Sequence, residues 1–281
     1  MMTLLLAMAM FQDVSSLSQA GAQAMRESRF ADASRAYRQL TEKEPANPMW
    51  RMNLGLAQFQ AGNFRDAIMA FEQYLKAKPQ PGAIHWMTGL ARLKLQQPCD
   101  AIAPLEKAKL WDASKSSIDL GDALYACGRY EKAARIYEGA TIFRSNDTKL
   151  LRQVAHSFWR ARLYLEAKKF YAPLAGQFAN EPEFQYEYGD TLARLEGPEV
   201  GLPFLLRAAQ AEPALTGVRG ELGKALLAIG RQAEAIPHLE AVPAKDATLL
   251  SALSKAYRSI GRIEEAERAQ AEYRTRLGKK Q

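Results

Sequence analysis

The chain has 281 residues, 48% of them hydrophobic, and its 38 basic and 31 acidic side chains leave a formal charge of +7. That apolar share excludes a disordered chain, and no apolar run reaches the roughly 18 residues that a spanning helix needs. Lys and Arg are interleaved with Glu and Asp rather than gathered into one stripe, which argues against a nucleic-acid partner.

In chain order, residues 1–13 form an N-terminal apolar segment, and Thr3 to Phe11 within it has the length of a secretory h-region. Small-x-small pairs follow at Ala7/Ala9, Ala20/Ala22 and Ala22/Ala24, but no Lys or Arg precedes the stretch, the first being Arg26. Two readings stay open. One is an export signal, which places the protein in the periplasm or outside the cell. The other is a helix covering the open end of a repeat array in a cytoplasmic protein.

Residues 14–276 repeat. A small residue returns at steps of 31 to 34 residues, at Ala33, Ala67, Ala101, Ala133, Ala167, Gly201, Ala235 and Ala266. A second small residue precedes each rung by 12: Gly21, Gly55, Gly89, Gly121, Ala155, Gly189, Gly223 and Ser254. Large residues lie one helical turn beyond the rungs, at Tyr37, Phe71, Leu105, Tyr137, Tyr171, Leu205 and Leu239. The spacing predicts two antiparallel helices per unit whose small positions face each other, so that the backbones approach closely. Gly62, Gly128, Gly230 and Gly261 are turn signals between them. Pro45, Pro79 and Pro213 end the second helices.

Several units depart from the pattern. Gln96, Arg162 and Glu196 replace the turn glycine, and Gly201 is a weaker rung than alanine. Pro104, Pro173, Pro203 and Pro237 lie inside second helices, where each removes a hydrogen bond and predicts a local kink. The last second helix, Ile263 to Leu277, is polar enough to read as a cap, and residues 277–281 form a basic tail.

A period near 34 residues with these small, large and turn positions resembles the tetratricopeptide repeat. The resemblance implies an all-α, right-handed α-solenoid of about eight helix-turn-helix repeats. It also implies a concave groove, lined by the first helices, that holds a peptide or a partner helix. Mapped onto this chain, the groove positions are apolar at Met49, Met52, Leu56, Phe59, Trp86, Leu90 and Leu93. They then alternate charge with aromatic character at Lys115, Asp119, Asp122, Tyr125, Arg152, His156, Trp159, Arg160, Tyr186, Glu187 and Asp190. From these, the expected partner-binding set is Met52, Leu56, Phe59, Trp86, Leu90, Asp122, Tyr125, Arg152, His156, Trp159 and Tyr186. Trp86, Trp159 and Arg152 lead it as aromatic and Arg anchors. For Met49, Met52 and Leu56, a place in the core between repeats is an equal alternative. Of the Lys, Asn and Arg clamp by which some members hold acidic chaperone C-termini, only Asn53 is present.

Nothing in the sequence assembles catalytic chemistry. His85, His156 and His238 fall in different units, and no HExxH, GxSxG or phosphate-loop pattern occurs. Cys99 and Cys127 lack CxxC spacing, so no metal, cofactor or catalytic residue is expected. Both cysteines fall at intra-unit turns on one edge of adjacent repeats. They read either as small buried apolar residues or as a disulfide whose Cα atoms lie within bridging reach. The function expected is a non-catalytic scaffold that binds a protein or peptide partner, with no transmembrane span. The alternatives are a structural adaptor in envelope assembly or secretion and an RNA-binding helical repeat. Partner identity and oligomeric state have no signature here.

Overall fold

The computed structural model describes residues 2–109, 111–139 and 146–278, without the side chains of 2–12 and 113–115. Among the described residues there are sixteen helices and no strand. They divide into two compact units, Met1–Arg144 and Ser145–Gln281. The amino-terminal unit holds α1 (Met2–Arg26), α2 (Phe30–Lys43), α3 (Pro48–Gln60), α4 (Phe64–Ala77), α5 (Gly82–Lys94), α6 (Pro98–Lys109), α7 (Ala113–Ala126) and α8 (Tyr130–Gly139). The carboxy-terminal unit holds α9 (Thr148–Arg160), α10 (Tyr164–Leu174), α11 (Pro182–Leu195), α12 (Pro198–Ala211), α13 (Val218–Ala228), α14 (Gln232–Glu240), α15 (Ala247–Ser259) and α16 (Ile263–Gly278). Successive odd and even helices pair, giving four helix-turn-helix repeats in each unit.

Local chemistry sets the helix ends. Asn47, Asp147 and Asp246 cap α3, α9 and α15 by accepting from backbone N–H groups of the first turn. Second helices α2, α4 and α12 end two residues before Pro45, Pro79 and Pro213. Within the repeats one turn recurs. At Gly62, the Gly62 N–H donates to Phe59 O and the Asn63 N–H to Gln58 O, with Gly62 at φ 79°. This double closure with a left-handed residue satisfies the last carbonyls of a helix. The same pair of bonds closes the turns at Ser28, Gln96, Gly128, Arg162, Gly230 and Gly261. Gln96 and Arg162 therefore replace the turn glycine without changing the turn, holding φ 58° and 60° themselves. Glu196 does not, because the following Gly197 takes the positive angle at φ 114°.

The rungs Ala33, Ala67, Ala101, Ala133, Ala167, Ala235 and Ala266 are completely buried. What the small position of the first helix meets varies between repeats. In five repeats the glycine of the first helix seats the large residue of the second: a Cβ on Gly55 would lie 2.5 Å from the Phe71 ring, and one on Gly121 would press into the Tyr137 ring. Small also faces small: the Ser254 hydroxyl donates to Ala266 O at 2.9 Å, and Gly189 lies against Gly201 in the repeat made by α11 and α12. There a Cβ on Gly201 would press into Gly189 O and lie 2.6 Å from the Cβ of Ala193. Gly201 is thus a rung with no room for a methyl rather than a weak one, since backbone cannot yield as a flexible side chain can.

The internal prolines do not stop every helix: α6 continues past Pro104 and α12 past Pro203, while α10 ends at Leu174, immediately after Pro173. Helix α1 runs unbroken through Thr3 to Phe11, whose side chains lie outside the described ones. Of the basic tail, residues 279–281 also lie outside the description.

Candidate functional site

Within each unit the first helices touch one another, α5 on α7 in the amino-terminal unit and α9 on α11, α11 on α13 and α13 on α15 in the carboxy-terminal one. Their free faces carry the expected binding residues, and the two units differ.

In the amino-terminal unit the face is apolar along α3 and α5. Met49 is 43% exposed, while Met52, Leu56 and Phe59 are half-buried against the core of Ala67, Phe71, Tyr74 and Ile84. Met52 and Leu56 therefore pack between repeats and each keeps part of its surface open. Leu90 is also half-buried. Trp86 is tied down by its indole N–H, which donates to Asp119 Oδ2 of α7 at 2.6 Å. Burial pushes the Asp119 carboxyl up, against the lowering effect of that bond. Asp122 accepts from the Tyr137 hydroxyl at 2.6 Å, and Tyr125 meets Tyr130 edge to face at 5.5 Å.

In the carboxy-terminal unit a polar lattice joins α9, α11 and α13. Trp159 Nε1 donates to Asp190 Oδ2 at 2.8 Å, and Arg194 Nε donates to Asp190 Oδ1 at 2.8 Å. Arg194 also reaches Glu221 of α13 at 3.3 Å. His156 Nδ1 bonds Glu187 Oε1 and the Tyr171 hydroxyl donates to Glu187 Oε2, both at 2.7 Å. Asp190 and Glu187 are 4% and 6% exposed, so these bonds are what makes their burial tolerable. Even so, burial leads the shift at Asp190 and holds its carboxyl above the usual value despite Trp159 and Arg194. Tyr186 is edge-on to Trp159 at 5.6 Å, and its phenol is pushed up by burial and then by Asp190. Arg152 pairs with Glu181 at 3.4 Å and lies 5.8 Å from the Phe178 ring centroid, but its buried Nε has no hydrogen-bond partner.

Thus His156, Trp159 and Tyr186 form one cluster, and Met52, Leu56 and Phe59 form another. Glu187, Asp190 and Asp119, read from sequence as groove charges, serve instead as acceptors between first helices. Arg194 and Glu221 complete the lattice and were not identified from the sequence. The signal was present, because Asp119, Glu187 and Glu221 all stand two residues before the small position of their helix.

Cys99, at the start of α6, and Cys127, one residue beyond α7, are joined in a disulfide with Cα atoms 5.1 Å apart. Among the described residues, no group of three or more His, Cys, Asp or Glu is placed to hold a metal ion. No described helix is long and apolar enough to cross a membrane.

Residues 20–80 and 54–118 match the tetratricopeptide-repeat family model. Superkiller protein 3 of Saccharomyces cerevisiae is 28% identical over 138 residues, which cover 47% of this chain and 10% of that protein. The chain therefore spans about a tenth of that relative's length. Among solved structures, YrrB, described as a tetratricopeptide-repeat protein with an unusual peptide-binding site, is 18% identical with a TM-score of 0.52. The match covers 66% of this chain and 97% of YrrB. MamA is 19% identical with a TM-score of 0.52, over 61% of this chain and 95% of its own. At these identities the likeness is one of fold.

Proposed function

We propose that this tetratricopeptide-repeat protein is a non-catalytic scaffold that captures a peptide or helical segment of a partner on the free faces of its first helices. The observation that carries the reading is the apolar face of α3 and α5. Met49, Met52, Leu56, Phe59 and Leu90 there keep open surface although each lies in a well-packed repeat. Apolar side chains held on a rigid helix face receive the spaced anchors of an incoming segment. Trp86 on α5 and Trp159 on α9 are weaker test positions, since removing either indole strands a carboxylate between helices.

A peptide library panned on the purified chain is expected to yield binders with spaced apolar anchors. Met49→Glu combined with Leu90→Ala should weaken them about tenfold, ~1.4 kcal/mol, while circular dichroism stays unchanged. Binders indifferent to both substitutions, or no binders at all, reject this assignment.

A second reading, a structural adaptor outside the cytoplasm, is favoured by the Cys99–Cys127 bond, because disulfides persist in oxidising compartments. Mass spectrometry of the protein alkylated as it leaves its native cells tests it, and two alkylated thiols would count against it.

A further inference from the structure

We infer that the end of the carboxy-terminal unit binds an acidic segment of a partner polypeptide bearing an apolar side chain. The inference rests on the scaffold reading and assigns a ligand chemistry to one stretch of the first-helix face. A groove of about 640 Å³ lies between α13 and α15 and is closed on one side by the last turns of α16. Lys224 and Lys255 stand in it with Leu227, Ser251, Tyr273 and Leu277, and none of its lining residues is acidic.

The two lysines hold equivalent positions. Each directly follows the small residue of its first helix, Gly223 or Ser254. Earlier repeats place Leu56, Leu90, Asp122, His156 and Asp190 in that register, so the residue there changes from leucine through aspartate and histidine to lysine along the chain. In the acidic stretch the carboxylates are already occupied, Asp190 by Trp159 and Arg194. In the basic stretch the charge is largely unanswered. Lys224 meets only Glu221, at 2.9 Å, and Glu221 is shared with Arg194. Lys255 is exposed and has no hydrogen-bond or ion-pair partner among the described residues.

A lysine left free on a groove wall attracts carboxylates and speeds encounter with an acidic partner. Leu227, Tyr273 and Leu277, with Leu277 45% exposed, supply an apolar surface that a bare polyanion would not use. Charge and apolar surface together therefore favour an acidic peptide over a nucleic acid.

Fluorescence anisotropy on the full chain tests this with three labelled probes: a peptide of Asp and Glu interrupted by leucines, the same peptide with Lys for every acid, and an oligouridylate. The acidic peptide should bind about tenfold more tightly than its basic counterpart, with the advantage shrinking as salt rises. Lys255→Glu should remove most of that preference, and adding Lys224→Glu should reverse it. Lys255→Met, which keeps the stem, should give an intermediate loss without any change in fold, because the ammonium has no partner to lose. Equal affinity for the two peptides, a preference that survives both reversals, or tighter binding of the oligouridylate would overturn the inference. If peptides selected on the Met49 face still bind while the acidic preference is absent, only this inference fails. If no peptide binds at either place, the scaffold reading fails as well.

Discussion

At the scale of single residues, the decisive groups are the carboxylates between first helices. Asp190 and Asp119 each accept an indole N–H, but Asp190 is almost fully buried and Asp119 only half so. Trp159→Phe keeps an aromatic ring, though a smaller one, and removes the donor, leaving a buried acceptor short of one bond at a cost of about 1–3 kcal/mol. Trp86→Phe should cost less because water reaches Asp119, and paired urea titrations would show the order. Reversal of that order would mean the lattice does not stabilise the carboxy-terminal unit. The raised Asp190 value carries a sign. The fold prefers the protonated carboxyl, so its favourable contribution is full below the unfolded value of about 3.9 and is lost as pH rises through the higher folded one. Asp190→Asn, neutral at every pH, should therefore melt above the parent near neutrality, with the gap closing on acidification. A gap that widens instead would show that the Arg194 pairing outweighs burial.

At the scale of the helical pair, the turn and the closest approach make opposite demands on glycine. Gln96 and Arg162 sit in the left-handed region that costs an L-residue about 1–2 kcal/mol, so Gln96→Gly and Arg162→Gly should raise the melting temperature. Gly201→Ala should lower it sharply, since the new methyl meets the Gly189 carbonyl and the Ala193 backbone rather than a side chain that can turn away. Calorimetry on the three variants separates the two effects, and a neutral Gly201→Ala would contradict the approach of α11 to α12. These contrasts show how far the sequence could be read. The period, the turns and the second-helix ends were legible because each rests on one residue's backbone preference. Which small residue faces which large one was not, because that depends on how two helices are rotated against each other, and Gly201 was misjudged for this reason. The apolar character of Leu56 and Phe59 was also legible. The roles of Glu187 and Asp190 were not, since a carboxylate on a first-helix face reads the same whether it meets water or a tryptophan one repeat away.

At the scale of the whole molecule, a repeat array is held by neighbour contacts, so a local change acts locally and weakens with distance along the stack. The Cys99–Cys127 bond is the one covalent link between repeats among the described residues, tying the start of α6 to the end of α7 across 28 positions of chain. Closing a loop of that length restricts the unfolded chain by about 3–4 kcal/mol in the chain-entropy model. In a globular domain with one core, losing that contribution would lower protection everywhere. Here, reduction should instead raise hydrogen exchange in α5 to α8 while the amides of α13 to α16 keep their protection. Exchange measured by mass spectrometry with and without a phosphine reductant reads this directly, and Cys99→Ser should reproduce the reduced pattern without added reagent. A uniform loss of protection down to α16 would mean that the eight repeats unfold as one cooperative body, and stability could then no longer be assigned repeat by repeat.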